Sequence, residues 1–101
     1  MEFSLTMTTA ATREEAETLA EGIIGNELAA CVQIVEASSV YRWNGKVEKA
    51  RECLLLIKGR SDLFPWLRDF VLAHHTNDVP ELVKLDITDG SPAYFAWMRG
   101  E

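Results

Sequence analysis

Cysteine is scarce in this 101-residue chain, and the two present, Cys31 and Cys53, form no C-x-x-C pair. Thiols so placed, in a sequence whose start (Met1-Glu2-Phe3-Ser4) lacks a basic segment followed by an apolar core, read as reduced core residues rather than a disulfide. No apolar run approaches the roughly 20 residues that span a bilayer, which excludes a transmembrane helix and makes a cytoplasmic location the expectation. Positive charge is in short supply as well. Ten Lys and Arg against 16 Asp and Glu leave a net charge of −6, with the basic residues scattered. Nucleic acid and anionic lipid are disfavoured as partners, because both require concentrated cations to displace counterions or meet phosphates. There is no repeat, no low-complexity linker, no G-x-S-x-G, no phosphate-cradling glycine loop and no recognisable nucleophile and base, so nothing marks an enzyme.

What remains is an ordinary globular composition, 48% apolar and 26% charged, with room for one core and hence one domain over 1–101. Its most informative stretch is Ser39-Val40-Tyr41-Arg42-Trp43, then Asn44-Gly45, then a long arm from Lys46 to Lys58. Asn-Gly between β-prone arms signals a type I′ hairpin, since both residues tolerate positive φ. A two-residue turn pairs Trp43 with Lys46 and Tyr41 with Glu48, setting both aromatics on one face of the ribbon. The return arm should run about 40 Å. A compact chain of this length is only about 30 to 35 Å across. The ribbon therefore overhangs its own domain, and with Tyr41 and Trp43 on it, it calls for a neighbouring copy. The competing reading is a bent or bulged hairpin folded over its own core.

Around the ribbon, Glu2 to Thr8 alternates as a strand with Phe3, Leu5 and Met7 on one face. Thr12 and Glu15 have capping-box spacing ahead of a helix carrying Ala16, Leu19, Ala20, Ile23 and Ile24, which Gly25-Asn26 stop. Leu28 to Glu36 reads as a second strand buried on both faces, with a bulge or bend expected at Glu36-Ala37-Ser38 before the strand line continues. Cys53 to Ile57 is apolar on both faces and marks a central strand. Ser61-Asp62 offers an N-cap for a second helix striped by Leu63, Phe64, Leu67, Phe70 and Val71 and ending near Ala73. A polar connector, His74 to Asp78, leads to a strand in which Val83, Leu85 and Ile87 alternate with Lys84 and Asp86. Ser91-Pro92 then starts a short terminal helix whose Tyr94, Phe95, Trp97 and Met98 require a docking surface. The order β-α-β-β-α-β-α is that of an α+β, ferredoxin-like split β-α-β fold with an antiparallel sheet, a long central hairpin and a short C-terminal helix.

Four stretches together, Leu28-Ala29-Ala30-Cys31-Val32, Ser39 to Glu48, His75 with Pro80-Glu81-Leu82, and Tyr94-Phe95-Ala96-Trp97, resemble the CutA divalent-cation tolerance family over nearly the whole chain. The resemblance implies a homotrimer of ferredoxin-like subunits whose hairpins join sheets across interfaces, similar to the PII signalling proteins. One departure is plain. Family members commonly carry His-Pro-Tyr-Glu where this chain has His75-Thr76-Asn77-Asp78.

Two site readings follow, both non-enzymatic. The family name suggests Cu(II) or another divalent cation held by imidazole and carboxylate, with His74, His75, Asp78 and Cys31 as candidates. Adjacent histidines diverge by about 100° on a helix and point oppositely in a strand, which hinders joint ligation. The alternative roles are His74 at the C-terminal end of the second helix, His75 in a local hydrogen bond and Cys31 in the core. The second reading is an inter-subunit cleft of Tyr41, Trp43, Lys46 and Glu81 for a small anionic ligand, against which stands a purely structural interface using the same residues.

Overall fold

The computed structural model describes all of residues 1–101. Asn44 (φ 50°) and Gly45 (φ 77°) both adopt the left-handed conformation that a type I′ turn needs. They join β2 (Cys31–Trp43) to β3 (Lys46–Arg60). The register is the expected one, Trp43 opposite Lys46 and Tyr41 opposite Glu48, and it runs without interruption to Cys31 opposite Lys58. The bulge expected at Glu36-Ala37-Ser38 is absent. Beyond the body both ribbon faces meet solvent, so polar residues there can stay in a straight ladder. The molecule measures 47 × 25 × 22 Å, longer in one direction than a compact chain of its size.

The other elements are β1 (Phe3–Ala10), α1 (Arg13–Gly25), α2 (Phe64–His74), β4 (Leu82–Ile87) and α3 (Pro92–Arg99). The sheet order is β2-β3-β1-β4, and every neighbouring pair is antiparallel. This is the ferredoxin-like arrangement expected. β3 is central, as its two-sided apolar base implied, but that leaves β2 at an edge. Contrary to the expectation for strand two, no β2 residue is fully buried.

Alternation along the strands separates two faces. On one, Cys53, Leu55 and Ile57 of β3 pack with Ala16, Leu19 and Ile23 of α1 and Leu67 and Val71 of α2. The helices lie close enough that a Cβ on Gly22 would stand 2.6 Å from the tip of the Phe70 ring, so a larger residue there would push that ring aside. Directly opposite Ile57 and Leu55 sit Thr6 and Thr8, both buried. Phe3, Leu5 and Met7 thus share a face, but it is the one turned away from α1 and α2. There they meet Leu54 and Leu56 of β3 and Val83, Leu85 and Ile87 of β4. A single chain covers only one end of this second face, with α3: Phe95 stacks on Phe3 at 4.9 Å, and the Lys58 ammonium lies 5.4 Å from the Tyr94 ring centre.

Caps follow the sequence at some ends and depart at others. Thr12 Oγ1 accepts the Glu15 amide at 3.1 Å, but the return bond of a capping box is not made, and Glu15 Oε2 is buried without a partner. Ser61 does not cap α2. Its amide donates to the Glu2 carbonyl at 2.8 Å, and Ser61–Leu63 form a 3₁₀ turn that places Leu63 at the cap position. Ser91 caps α3, accepting the Tyr94 amide, and Gly100 closes it with φ 90°.

Arg99 fastens α3 to the start of the chain through two bonds to Glu2, 2.5 and 2.7 Å long. These hydrogen bonds from Arg99 hold the Glu2 carboxyl below the usual carboxylate range, against some desolvation and with added attraction from Arg99 and Arg60. Because the folded-state value is lowered, the contribution is present above the ordinary carboxylate pKa of about 4.3 and is lost as pH falls through the folded value. Glu2→Gln is expected to speed amide hydrogen exchange across α3 at neutral pH, with the difference from wild type shrinking as acid protonates the Glu2 carboxyl. Equal exchange at neutral pH would show that the pair does not hold the helix. In the core, Leu55→Ala should cost about 2 to 5 kcal/mol in denaturant titration, and a loss under about 1 kcal/mol would be incompatible with Leu55 at the centre of a packed layer.

Candidate functional site

The last turn of a helix leaves carbonyls without intrahelical donors, and His74 serves one of them. Its Nδ1 lies 2.8 Å from the Phe70 carbonyl oxygen, and the two rings stack at 4.2 Å. His75 leaves the helix in extended conformation and reaches back across the sequence. Its Nε2 lies 2.6 Å from the Thr9 carbonyl oxygen, and its Nδ1 accepts the Asn77 amide at 3.0 Å. A carbonyl only accepts and an amide N–H only donates, so His75 carries its proton on Nε2. It ties the end of β1 to the connector between α2 and β4. Of the four imidazole nitrogens in the chain, only His74 Nε2 has no protein partner.

The remaining metal candidates lie elsewhere. Asp78 is exposed on the connector. Cys31 shares its rung with Lys58 and Leu5, four residues along β1 from Thr9, or roughly 13 Å. No three His, Cys, Asp or Glu side chains converge in one chain. A divalent ion commonly takes four or more donors, so the donors of a single chain do not make up a complete set.

Between the start of α1 and the end of α2 lies a cavity of about 530 Å³. Ala10, Leu19 and Phe70 give it apolar surface, Glu14, Glu15 and His74 give it polar surface, and no Lys or Arg lines it. The sequence reading missed Glu14 altogether and assigned Glu15 to the helix cap. The available signal was the pair itself, since a capping box employs one glutamate and leaves the next unexplained.

At the ribbon tip, Tyr41 is 45% and Trp43 64% exposed. Lys46 stands opposite Trp43 as expected. Glu81 precedes β4 on the other edge of the sheet, with β3 and β1 between, so one chain does not gather the four cleft candidates.

The family model of the CutA1 divalent ion tolerance protein matches residues 4–101. The Thermus thermophilus divalent-cation tolerance protein CutA is 42% identical over 92 residues, spanning 90% of this chain and 89% of the relative. The chloroplastic CutA of Arabidopsis thaliana is 47% identical over 88 residues, 86% of this chain but only 48% of that protein, so this chain spans about half its length. Among solved structures, CutA1 from Oryza sativa superposes with a TM-score of 0.94 at 40% identity, covering 99% of this chain and 93% of that one. The periplasmic divalent cation tolerance protein CutA from Archaeoglobus fulgidus gives a TM-score of 0.93 at 34% identity, covering 97% and 96%. With the sheet order, the long hairpin and the sequence agreeing from residue 4 to the last, the chain belongs to the CutA1 divalent ion tolerance family.

Proposed function

We propose that this protein acts in divalent-cation tolerance as a non-catalytic homotrimer in a reducing, cytoplasmic compartment. The observation that carries the reading is the second sheet face. Val35, Val83 and Leu85 are 45 to 47% exposed on it, beside Leu5, Met7, Leu54 and Leu56. An apolar stripe of this kind favours burial against other copies. The straight, overhanging ribbon supports the same reading, and the two free cysteines suit a reducing compartment.

Within such an assembly, direct contact with Cu(II) or another divalent cation falls to His74 through its unengaged Nε2, with further donors drawn from outside the single chain. The roles of the two histidines then separate. His75 is a positioning residue for the connector. The inter-subunit cleft for a small anionic ligand likewise requires Tyr41, Trp43 and Lys46 of one copy to approach Glu81 of another.

Light scattering should give a solution mass three times the 11.3 kDa of the chain. Leu85→Asp should reduce it to the single-chain mass, because a carboxylate cannot be buried unpaired on an apolar face. A monomeric wild type would overturn the assembly, and an Asp variant that stays trimeric would overturn this face as its interface. In Cu(II) titrations at pH 7, His74→Ala should weaken binding about tenfold or more. His75→Ala should instead lower stability by about 1 to 3 kcal/mol through the orphaned Thr9 carbonyl and Asn77 amide. Copper affinity indifferent to His74 would remove the metal assignment.

A further inference from the structure

We infer that the cavity between α1 and α2 is a binding site for an organic ammonium ion, a protonated amine on a short apolar stem, with Glu14 and Glu15 toward the ammonium and Phe70 and Leu19 toward the stem. The cavity lies on the helix-bearing side of the sheet, away from the face proposed for assembly, so the inference does not rest on the trimer.

Size and lining are the first ground. A volume of about 530 Å³ falls within the range of about 300 to 1,000 Å³ usual for small-molecule sites. Ala10, Leu19 and the Phe70 ring supply apolar surface for a stem. That ring is held from two sides, by Gly22 of α1 at its tip and by the His74 ring stacked on it at 4.2 Å.

Sign is the second. Two carboxylates line the cavity and no Lys or Arg does. Arg13, the only basic residue of α1, is drawn to Glu17 at 3.6 Å, and neither Glu14 nor Glu15 forms an ion pair. Glu15 Oε2 is closed off from solvent with no donor. The first turn of α1 favours negative charge, and Thr12 Oγ1 takes the Glu15 amide, but neither brings a donor to that oxygen. A carboxylate partly withdrawn from water attracts a cation beside it more strongly than one on an open surface. An anion would meet repulsion alone.

The arrangement of the donors is the third, and it separates an organic cation from a bare metal ion. A metal ion requires its donors within about 2.0 to 2.6 Å of one point, and no three His, Cys, Asp or Glu side chains converge here. Acidic and aromatic groups distributed around one cavity suit a longer ligand, charged at one end and apolar at the other. Phe70 adds a ring face to which an ammonium is attracted.

Phenethylamine tests this in the full chain, with phenethyl alcohol as its neutral counterpart and phenylacetate as its anionic one, each titrated at pH 7 and followed by amide NMR shifts. The amine should shift the amides of residues 12–19 and 70–76 saturably and bind about tenfold or more tighter than the alcohol, and phenylacetate should not saturate. Glu15→Gln, which keeps the side chain's shape, should weaken the amine about tenfold. Glu14→Gln, at an exposed position without a partner, should weaken it about threefold with the fold unchanged. Equal binding of alcohol and amine, amine shifts that do not saturate or that scatter over the acidic surface, or an affinity indifferent to both substitutions would overturn the site.

Discussion

The ladder between β2 and β3 is the constraint from which the rest of the molecule follows. Once Asn44 and Gly45 turn the chain and fix Trp43 opposite Lys46, every pair down to Cys31 and Lys58 is set, because an antiparallel ladder without a bulge has one register. The base of that ladder gives β3 its central place and sets Cys53, Leu55 and Ile57 against the helices. Its outer part cannot be folded back without breaking pairs, so it projects from the body. Fold, core and protrusion are consequences of one continuous set of backbone hydrogen bonds.

The same register distributes apolar surface onto two faces when one chain has helices for only one. α1 and α2 cover the side with Leu55 and Ile57, and α3, held by Phe95 on Phe3 and by Arg99 on Glu2, covers one end of the other. Most of the second face, including Val83 and Leu85, stays open. A domain this small has little surplus core to offset such exposure, which is the physical pressure behind the proposed trimer. The features near His74 and His75 belong to the same geometry. His75 spans the connector to β1, which leaves His74 and the neighbouring cavity facing outward at the end from which the ribbon extends.

Membership of the divalent ion tolerance family gives this architecture a biological setting without specifying chemistry, since function resides in a site and not in a fold. One chain offers an unengaged His74 nitrogen and an acidic cavity, while Tyr41, Trp43 and Lys46 stand apart from Glu81 across the width of the sheet. Within one chain none of these groups has its counterpart, and in the proposed trimer a second copy would supply those of His74 and of the ribbon residues.

The sequence by itself determined whatever depends on neighbouring residues: the turn at Asn44-Gly45, the Tyr41 and Trp43 register, the Thr12 and Ser91 caps, the helical stripes and the succession of strands and helices that implies a ferredoxin-like fold. These are local because turn chemistry, capping and periodicity act over a few residues. Tertiary structure alone decided which face of β1 would meet the helices. Phe3, Leu5 and Met7 form the more apolar row, yet Thr6 and Thr8 occupy the core side, since the register with Ile57 and Leu55 outweighs the strand's own pattern. It also decided that β2 would lie at an edge with a straight ribbon, that Ser61 would bond the Glu2 carbonyl instead of capping α2, and that His75 would bond Thr9, far away along the chain. Such partners are brought together by the closing of the sheet, and no short window of sequence contains both members of the pair.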